Sequence, residues 1–412
     1  SLRGFGSGSD ANFRDGLKQA AAALVRFPTE NYGLERVEVL RGPSSGLYGA
    51  ADIGGIVHRV SKQARPDHVN EIGVQVGNYA QKQLRADLGG ARGKGGHAWR
   101  VVGLAHENEP QADYPGVRER KTRRLYIAPS LLLELSERST LRLLSEFWDK
   151  PGSDNPSEFA LPGPQRSRVL AGDPSFNRYD LRQWSLGYQF EHRFNDAWHF
   201  RQNLRTAGSR GDYNYLYFGA ADSQGNIFRG SGAMSRETRY TAVDNQLQGK
   251  FNTGPIAHTL LAGLDYLHSR LDTDDYSGSA SPLNLYRPVY GQPNAQLTRR
   301  DTYKTENLQQ LGVYAQDQMA LGPWRLSAGL RHDSVRKSSD NHLASSRSEQ
   351  SDQAVSGRIG ANYIFANGLA PYASYGTSFL PQSGRDRHGK AFTPTRGEQY
   401  EIGVKFQPAG SK

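Results

Sequence analysis

Apolar and polar residues alternate one by one over long stretches of this chain, and that period restricts its fold more than any other feature. In Trp184, Leu186, Tyr188 and Phe190 one face is wholly apolar, whereas the interleaved Ser185, Gly187, Gln189 and Glu191 are small or polar. The same pattern sets Val355, Ile359, Ala361, Tyr363 and Phe365 against Ser356, Arg358, Gly360 and Asn362. It recurs in Trp324, Leu326, Ala328 and Leu330 against Arg325, Ser327, Gly329 and Arg331, and in Tyr400, Ile402, Val404 and Phe406 against Glu401, Gly403 and Lys405. A period of two places successive side chains on opposite sides of a strand, so each run predicts a strand with one greasy and one wet face.

The links between these runs alternate as well. Short ones fall near 136–138, 195–196, 252–255, 321–323 and 366–368, and between them lie long Pro-, Ser- and Asp-rich stretches at about 108–121, 150–178, 218–234, 272–302, 338–350 and 381–395. A soluble sandwich meets the same solvent at both ends and has no reason to keep such a rule. A transmembrane barrel has short periplasmic turns and long extracellular loops. Roughly fourteen strands are expected, each near or above the roughly 9 to 11 residues a tilted membrane strand needs. Closure follows from the solvent, because an open edge in lipid leaves rows of unsatisfied N–H and C=O groups. A lipid-facing Arg or Lys at the midplane costs about 2 to 4 kcal/mol, so Arg325, Arg331, Arg358 and Lys405 should face the lumen. A solenoid or propeller would repeat at a fixed longer period, and none is found.

Composition closes off other classes. Only 36% of the 412 residues are hydrophobic, and no apolar run approaches the roughly 20 residues of a spanning helix. There is no cysteine, hence no disulfide and no Cys-held metal. The 51 Lys and Arg exceed the 41 Asp and Glu, but they are scattered, without the aromatic-interleaved basic run of a nucleic-acid groove; no nucleic acid is expected as a partner. The 11 histidines are dispersed with no metalloprotease spacing, and no nucleophile elbow is present, so no enzyme is expected. Gly42 to Gly49 lacks the Gly-Lys-Ser/Thr ending of a phosphate loop and sits in a strand-and-turn pattern.

Residues 1–66 read differently, being Gly-rich and irregular with short strands expected at 36–40 and 56–60. The run Leu34-Glu35-Arg36-Val37-Glu38-Val39-Leu40-Arg41-Gly42-Pro43-Ser44-Ser45-Gly46-Leu47-Tyr48-Gly49, with Gly54-Gly55-Ile56-Val57 and Val60-Ser61-Lys62, resembles the plug domain of TonB-dependent outer-membrane receptors. Arg3-Gly4-Phe5 and Asn12-Phe13-Arg14-Asp15-Gly16-Leu17 match upstream. Gly263-Leu264-Asp265-Tyr266, Gly312-Val313-Tyr314-Ala315-Gln316-Asp317 and Gly397-Glu398-Gln399-Tyr400-Glu401-Ile402-Gly403 echo the same family's barrel. The resemblance runs end to end and is nearest to siderophore receptors of the ferrichrome and ferrioxamine type. It implies a mixed α/β plug, residues 1–66, inside a transmembrane antiparallel β-barrel of about 22 strands, of which residues 67–412 supply about 14. Lys412 follows a strand rather than a terminal aromatic, and no TonB box precedes Ser1, so an internal fragment is expected, without the start of the plug or the last third of the barrel.

The same resemblance implies the function: import of a ferric siderophore across the outer membrane of a Gram-negative bacterium, energised by the TonB, ExbB and ExbD complex. The expected surroundings are outer-membrane lipid and lipopolysaccharide, and the expected state is a monomer. A ferric siderophore brings its own oxygen ligands, so neither a cofactor nor a direct metal site is expected, and iron enters as cargo. The family's ligand-contacting Arg and Tyr carry over to Arg3 and Tyr32, while a contacting Gln falls on Ala20, which leaves the siderophore's identity open. Ser9, Asp10, Asn12 and Ala20 to Ala23 are expected in neighbouring apical loops. Tyr213, Tyr215 and Tyr217 share one strand face and are candidate ligand contacts if that face is the lumen; the other reading puts them in the outer aromatic girdle. Glu35, Arg36, Glu38 and Arg41 are expected to pair across the plug–barrel interface. Heme, cobalamin or a glycan in place of the siderophore, or a passive porin with residues 1–65 outside the lumen, are the alternatives.

Overall fold

The alternating runs are strands of one large sheet, and the N-terminal region is a smaller sheet seated against it. The computed structural model describes residues 11–20, 27–42, 45–50, 54–93, 96–110, 114, 116, 121–153, 158–160, 168–382, 384 and 386–408. Two short strands, β1 (Asn12–Arg14) and β2 (Leu17–Lys18), flank Asp15-Gly16, whose φ values of 49° and 86° are those of the hairpin turn that Asp-Gly favours. With β3 (Leu34–Arg41) and β4 (Gly55–Ser61) they form a four-stranded sheet in the order β2-β1-β4-β3. The sheet is mixed, because β1 and β4 run parallel. One helical turn, α1 (Ser45–Tyr48), follows β3 where strand and turn alone were expected.

The large sheet starts with β5 (Glu71–Gly77), β6 (Gln81–Arg92), β7 (His97–Asn108), β8 (Thr122–Ser136) and β9 (Ser139–Ser153). A separate small hairpin, β10 (Glu158–Ala160) and β11 (Arg168–Leu170), interrupts the sequence. The sheet resumes with β12 (Arg178–Arg193), β13 (Trp198–Ala221), β14 (Asn226–Thr253), β15 (Ile256–Asn284) and β16 (Gln296–Leu321). It ends with β17 (Trp324–Asn341), β18 (Ser346–Tyr363), β19 (Leu369–Leu380) and β20 (Thr395–Phe406). Among the described residues these are 14 antiparallel strands in chain order, with β5 and β20 at the edges.

The short turns fall where the sequence put them, but three of the long stretches are not loops. Residues 218–234, 272–302 and 338–350 are largely strand; β13 and β14 reach 24 and 28 residues. Beyond the hydrocarbon both faces of a strand may be polar and the ladder still satisfies every backbone group, so Ser, Asp and Gly content reports water rather than loss of pairing.

Burial is inverted relative to a soluble protein. Trp184 and Leu186 are 45% and 56% exposed, whereas Gln183 and Ser185 between and beside them are 2% and 6% exposed. Leu330, Val355, Ile359 and Ile402 are exposed as well, while Arg331, Asp333 and Ser356 are buried. The apolar rows thus face outward and the polar rows face the plug, as a barrel wall requires. Arg325, Arg358 and Lys405 line one inner cavity of about 490 Å³, in keeping with their expected direction. Leu186→Arg should therefore destabilise the protein in a bilayer by about 2 to 4 kcal/mol. Urea unfolding in lipid vesicles measures it, and an unchanged midpoint would contradict the lipid-facing assignment.

Candidate functional site

The plug is seated on the inner face by three polar anchors, each built from short stretches of local geometry. The first is the β1–β2 turn. Asp15 is buried and accepts hydrogen bonds from the Ser61 backbone N–H and hydroxyl at 2.7 and 2.6 Å, and from Arg205 of β13. Beside it Arg14 donates to Ser61 Oγ at 2.7 Å and to Glu146 of β9 at 3.1 Å. Burial pushes the Asp15 carboxyl up, but Arg205, then Arg14 and the Ser61 bonds, outweigh burial and hold it below the usual carboxylate range.

The second anchor joins the segment after β4 to the first strands of the wall. Asp87 of β6 accepts from Arg100 of β7 at 2.7 and 2.8 Å and from Lys62 at 2.7 Å. Arg100 also donates to the Gln63 carbonyl at 3.0 Å and lies 3.5 Å from Glu35. The third is a cluster of wall residues under α1, reached from the plug by Lys18 of β2, which donates to Gln310 Oε1 at 3.4 Å. Arg331 of β17 is fully buried between Asp265 and Asp333, and Gln310 donates to Asp333 at 3.0 Å. Gly49, at φ 72°, runs against this cluster; a Cβ there would stand 2.5 Å from Gln310 Nε2 and 2.6 Å from Arg331 Nη2, so only glycine fits undisturbed.

Of the charges expected to cross the interface, Glu35 alone reaches the wall, through Arg100. Arg36 pairs with Glu38 at 2.6 Å and Glu38 with His58 at 2.8 Å, all within the plug, and Arg41 has no ion-pair partner among the described residues. Arg36 and Glu38, two apart, share one face of β3, and His58 of β4 stands directly opposite Glu38, so these charges meet each other within the plug sheet. Sequence reasoning missed Arg14, Asp15, Glu146 and Arg205; the Asp-Gly turn and the inward parity of Arg205 were the available signals.

Tyr213, Tyr215 and Tyr217 lie on the same side of β13 as the buried Arg205, Ala207 and Ser209, and the β12–β13 register runs unbroken to Asn214. They are therefore on the inner face. Tyr213 and Tyr215 stack at 4.9 Å, Tyr217 follows at 6.2 Å, and Tyr213 meets Tyr179 of β12 edge-on at 5.8 Å. Tyr179 and Tyr32 pack on one cluster of Val102, Leu104, Tyr126, Trp148 and Leu181. The Tyr32 ring carries Lys62 Nζ over its face at 4.1 Å, and its buried hydroxyl has no hydrogen-bond partner among the described residues. A track of aromatic rings thus runs down the wall to the plug. A separate cavity of about 600 Å³ opens between Lys18 and Ala50 of the plug and Leu271, Gln310, Lys337 and Gln350 of the wall; none of the four predicted tyrosines lines it. Arg3, Ser9, Asp10 and Ala21 to Ala23 lie outside the described residues.

An antiparallel wall with an outward apolar face and a plug pinned inside it defines the class of plugged outer-membrane barrels. Residues 129–411 match the family model described as TonB dependent receptor-like, beta-barrel, and residues 1–56 match the TonB-dependent Receptor Plug Domain. The chain belongs to the TonB-dependent receptors, a family of receptors and transporters rather than enzymes. It is 34% identical to the Ferrioxamine B receptor of Salmonella typhimurium (strain SL1344), over 99% of this chain and 59% of that protein. It is 32% identical to the Ferrichrome outer membrane transporter/phage receptor of Escherichia coli (strain K12), again over 99% of this chain and 59% of that one. The crystal structure of the siderophore receptor PiuA from Acinetobacter baumannii superposes with a TM-score of 0.83 at 21% identity, covering 98% of this chain and 63% of that one; this likeness concerns the fold alone. The chain thus spans about three-fifths of the length of these curated relatives.

Proposed function

We propose that this chain is the plug and first wall strands, residues 1–66 and 67–412, of an importer that captures a ferric siderophore of the ferrioxamine or ferrichrome kind. Its setting is the outer membrane of a Gram-negative bacterium, with lipid and lipopolysaccharide around a monomer, and its energy comes through TonB, ExbB and ExbD. The observation that carries the reading is the ring track from Tyr217 through Tyr215, Tyr213 and Tyr179 to the cluster under Tyr32. Flat aromatic faces cover the apolar skeleton of a chelate whose iron is already saturated, and phenolic hydroxyls can meet its oxygens. Iron is cargo, so no protein carboxylate or imidazole is required. Arg3 belongs to the proposal on resemblance. Relatives named for ferrioxamine B and ferrichrome support the ligand class, and a plug held at three anchors argues against a passive pore.

Tyr215→Ala should weaken binding of ferrioxamine B or ferrichrome about fivefold to tenfold, the worth of one stacked ring pair. Intrinsic fluorescence quenching on purified protein reads it. Tight binding of heme or cobalamin, with neither siderophore bound, would overturn the ligand class.

A further inference from the structure

On four neighbouring wall strands a single cross-strand row carries buried polar atoms that have no hydrogen-bond partner among the described residues. They are Trp148 Nε1 on β9, Gln183 Oε1 on β12, the Ser209 hydroxyl on β13 and the Thr238 hydroxyl on β14. The register makes them one row: Trp148 stands opposite Gln183, Gln183 opposite Ser209, and Ser209 opposite Thr238. Their residues are 7%, 2%, 2% and 1% exposed, in that order. Buried polar groups are nearly always paired, so four aligned exceptions on one face offer a ready set of hydrogen-bonding partners to a polar ligand that reaches them. The row also has a meaningful place. Along β13 it lies between Tyr213, where the ring track reaches the wall cluster, and Arg205, which holds Asp15 of the plug.

We infer that this row is a second, deeper contact for the cargo, met after the ring track as the plug moves aside; the inference rests on the siderophore-import reading. Three of its atoms are donors, the indole N–H and two hydroxyls, and they suit carbonyl and hydroxamate oxygens. Gln183 Oε1 accepts and suits an amide N–H, its own amide nitrogen being engaged with Glu146 at 3.0 Å. No member of the row is charged, so an anionic catecholate chelate finds no counter-charge there, whereas an amide- and hydroxamate-bearing chelate finds both kinds of partner.

The double variant Ser209→Ala, Thr238→Val removes two hydroxyls at nearly constant volume. It is tested in the full-length receptor, in an iron-starved host lacking other receptors for ferrioxamine B and ferrichrome. Equilibrium binding of each ferric complex to intact cells should stay within about twofold of the parent, while the initial uptake rate falls about fivefold or more, the loss expected for one to two hydrogen bonds. Thr238→Ser alone should keep the parent's uptake rate. A double variant that is more heat-stable and takes up both complexes at the parent's rate would overturn the inference, since hydroxyls that merely sit unpaired are better removed. A parent protein that binds neither complex would overturn the import reading instead, and this one with it.

Discussion

Arg331→Met should lower the stability of the protein by about 3 to 5 kcal/mol, because it leaves two carboxylates, Asp265 and Asp333, facing each other without their shared cation. The guanidinium is fully buried, so water cannot take its place. Gln310, Gly49 and α1 pack on the same cluster, and the loss should spread from the wall into the plug. Urea denaturation in detergent, followed by tryptophan fluorescence, gives the magnitude. Adding Asp265→Asn and Asp333→Asn should restore a large part of it, since neutral amides no longer repel. A single variant as stable as the parent would show that the cluster is not a structural anchor.

The second large effect belongs to Asp15→Ala. That change strips the acceptor from Ser61 and Arg205 and the ion-pair neighbour from Arg14, and leaves Arg205 buried without a carboxylate, again a loss of about 3 to 5 kcal/mol. Here the wall itself should stay folded, so the readout is local: hydrogen exchange of β1, β2 and β4 should speed up while exchange in β13 to β16 stays slow. The pH dependence has a definite sign. A carboxyl held below its ordinary range stabilises the docked form above its unfolded value of about 4 and loses that contribution only as pH falls further. The parent plug should therefore hold through mild acid and loosen below about pH 4, and the alanine variant should lack that transition. Identical acid profiles for the two would remove Asp15 from the account of docking.

Much of the architecture is legible in the sequence. Period two names a strand and also names its face, which is why Trp184 and Leu186 could be sent outward and Arg331 inward with no knowledge of neighbours. What parity leaves open is height. Asp15 meets Arg205 across 190 residues of chain, and that meeting depends on the accumulated register of every hairpin between the plug and β13. Of the four interface charges on β3 Glu35 reaches the wall, whereas alternation puts Arg36 and Glu38 on one face and the β3–β4 register sets His58 opposite Glu38, a pairing that parity alone does not give. The tyrosines sat between two readings because both faces of a barrel strand welcome aromatics near the rim; continuity of the β12–β13 register to Asn214 decides it. The unpaired row is beyond sequence reasoning altogether, since Trp148, Gln183, Ser209 and Thr238 become neighbours only through three separate pairings.

The wall's unequal rims also fix how such a molecule can be made. The long hairpin of β13 and β14 turns at Asp222, Ser223, Gln224 and Gly225, a hydrophilic tip, while the opposite rim has tight turns among the described residues. Such a hydrophilic tip must travel through hydrocarbon during assembly, with its backbone groups unpaired until the next strand arrives. Spontaneous insertion should accordingly be fast in thin, defect-rich bilayers and stall in thick ones. Delivery in a cell then calls for a catalyst that thins the membrane or shelters an edge strand from one side.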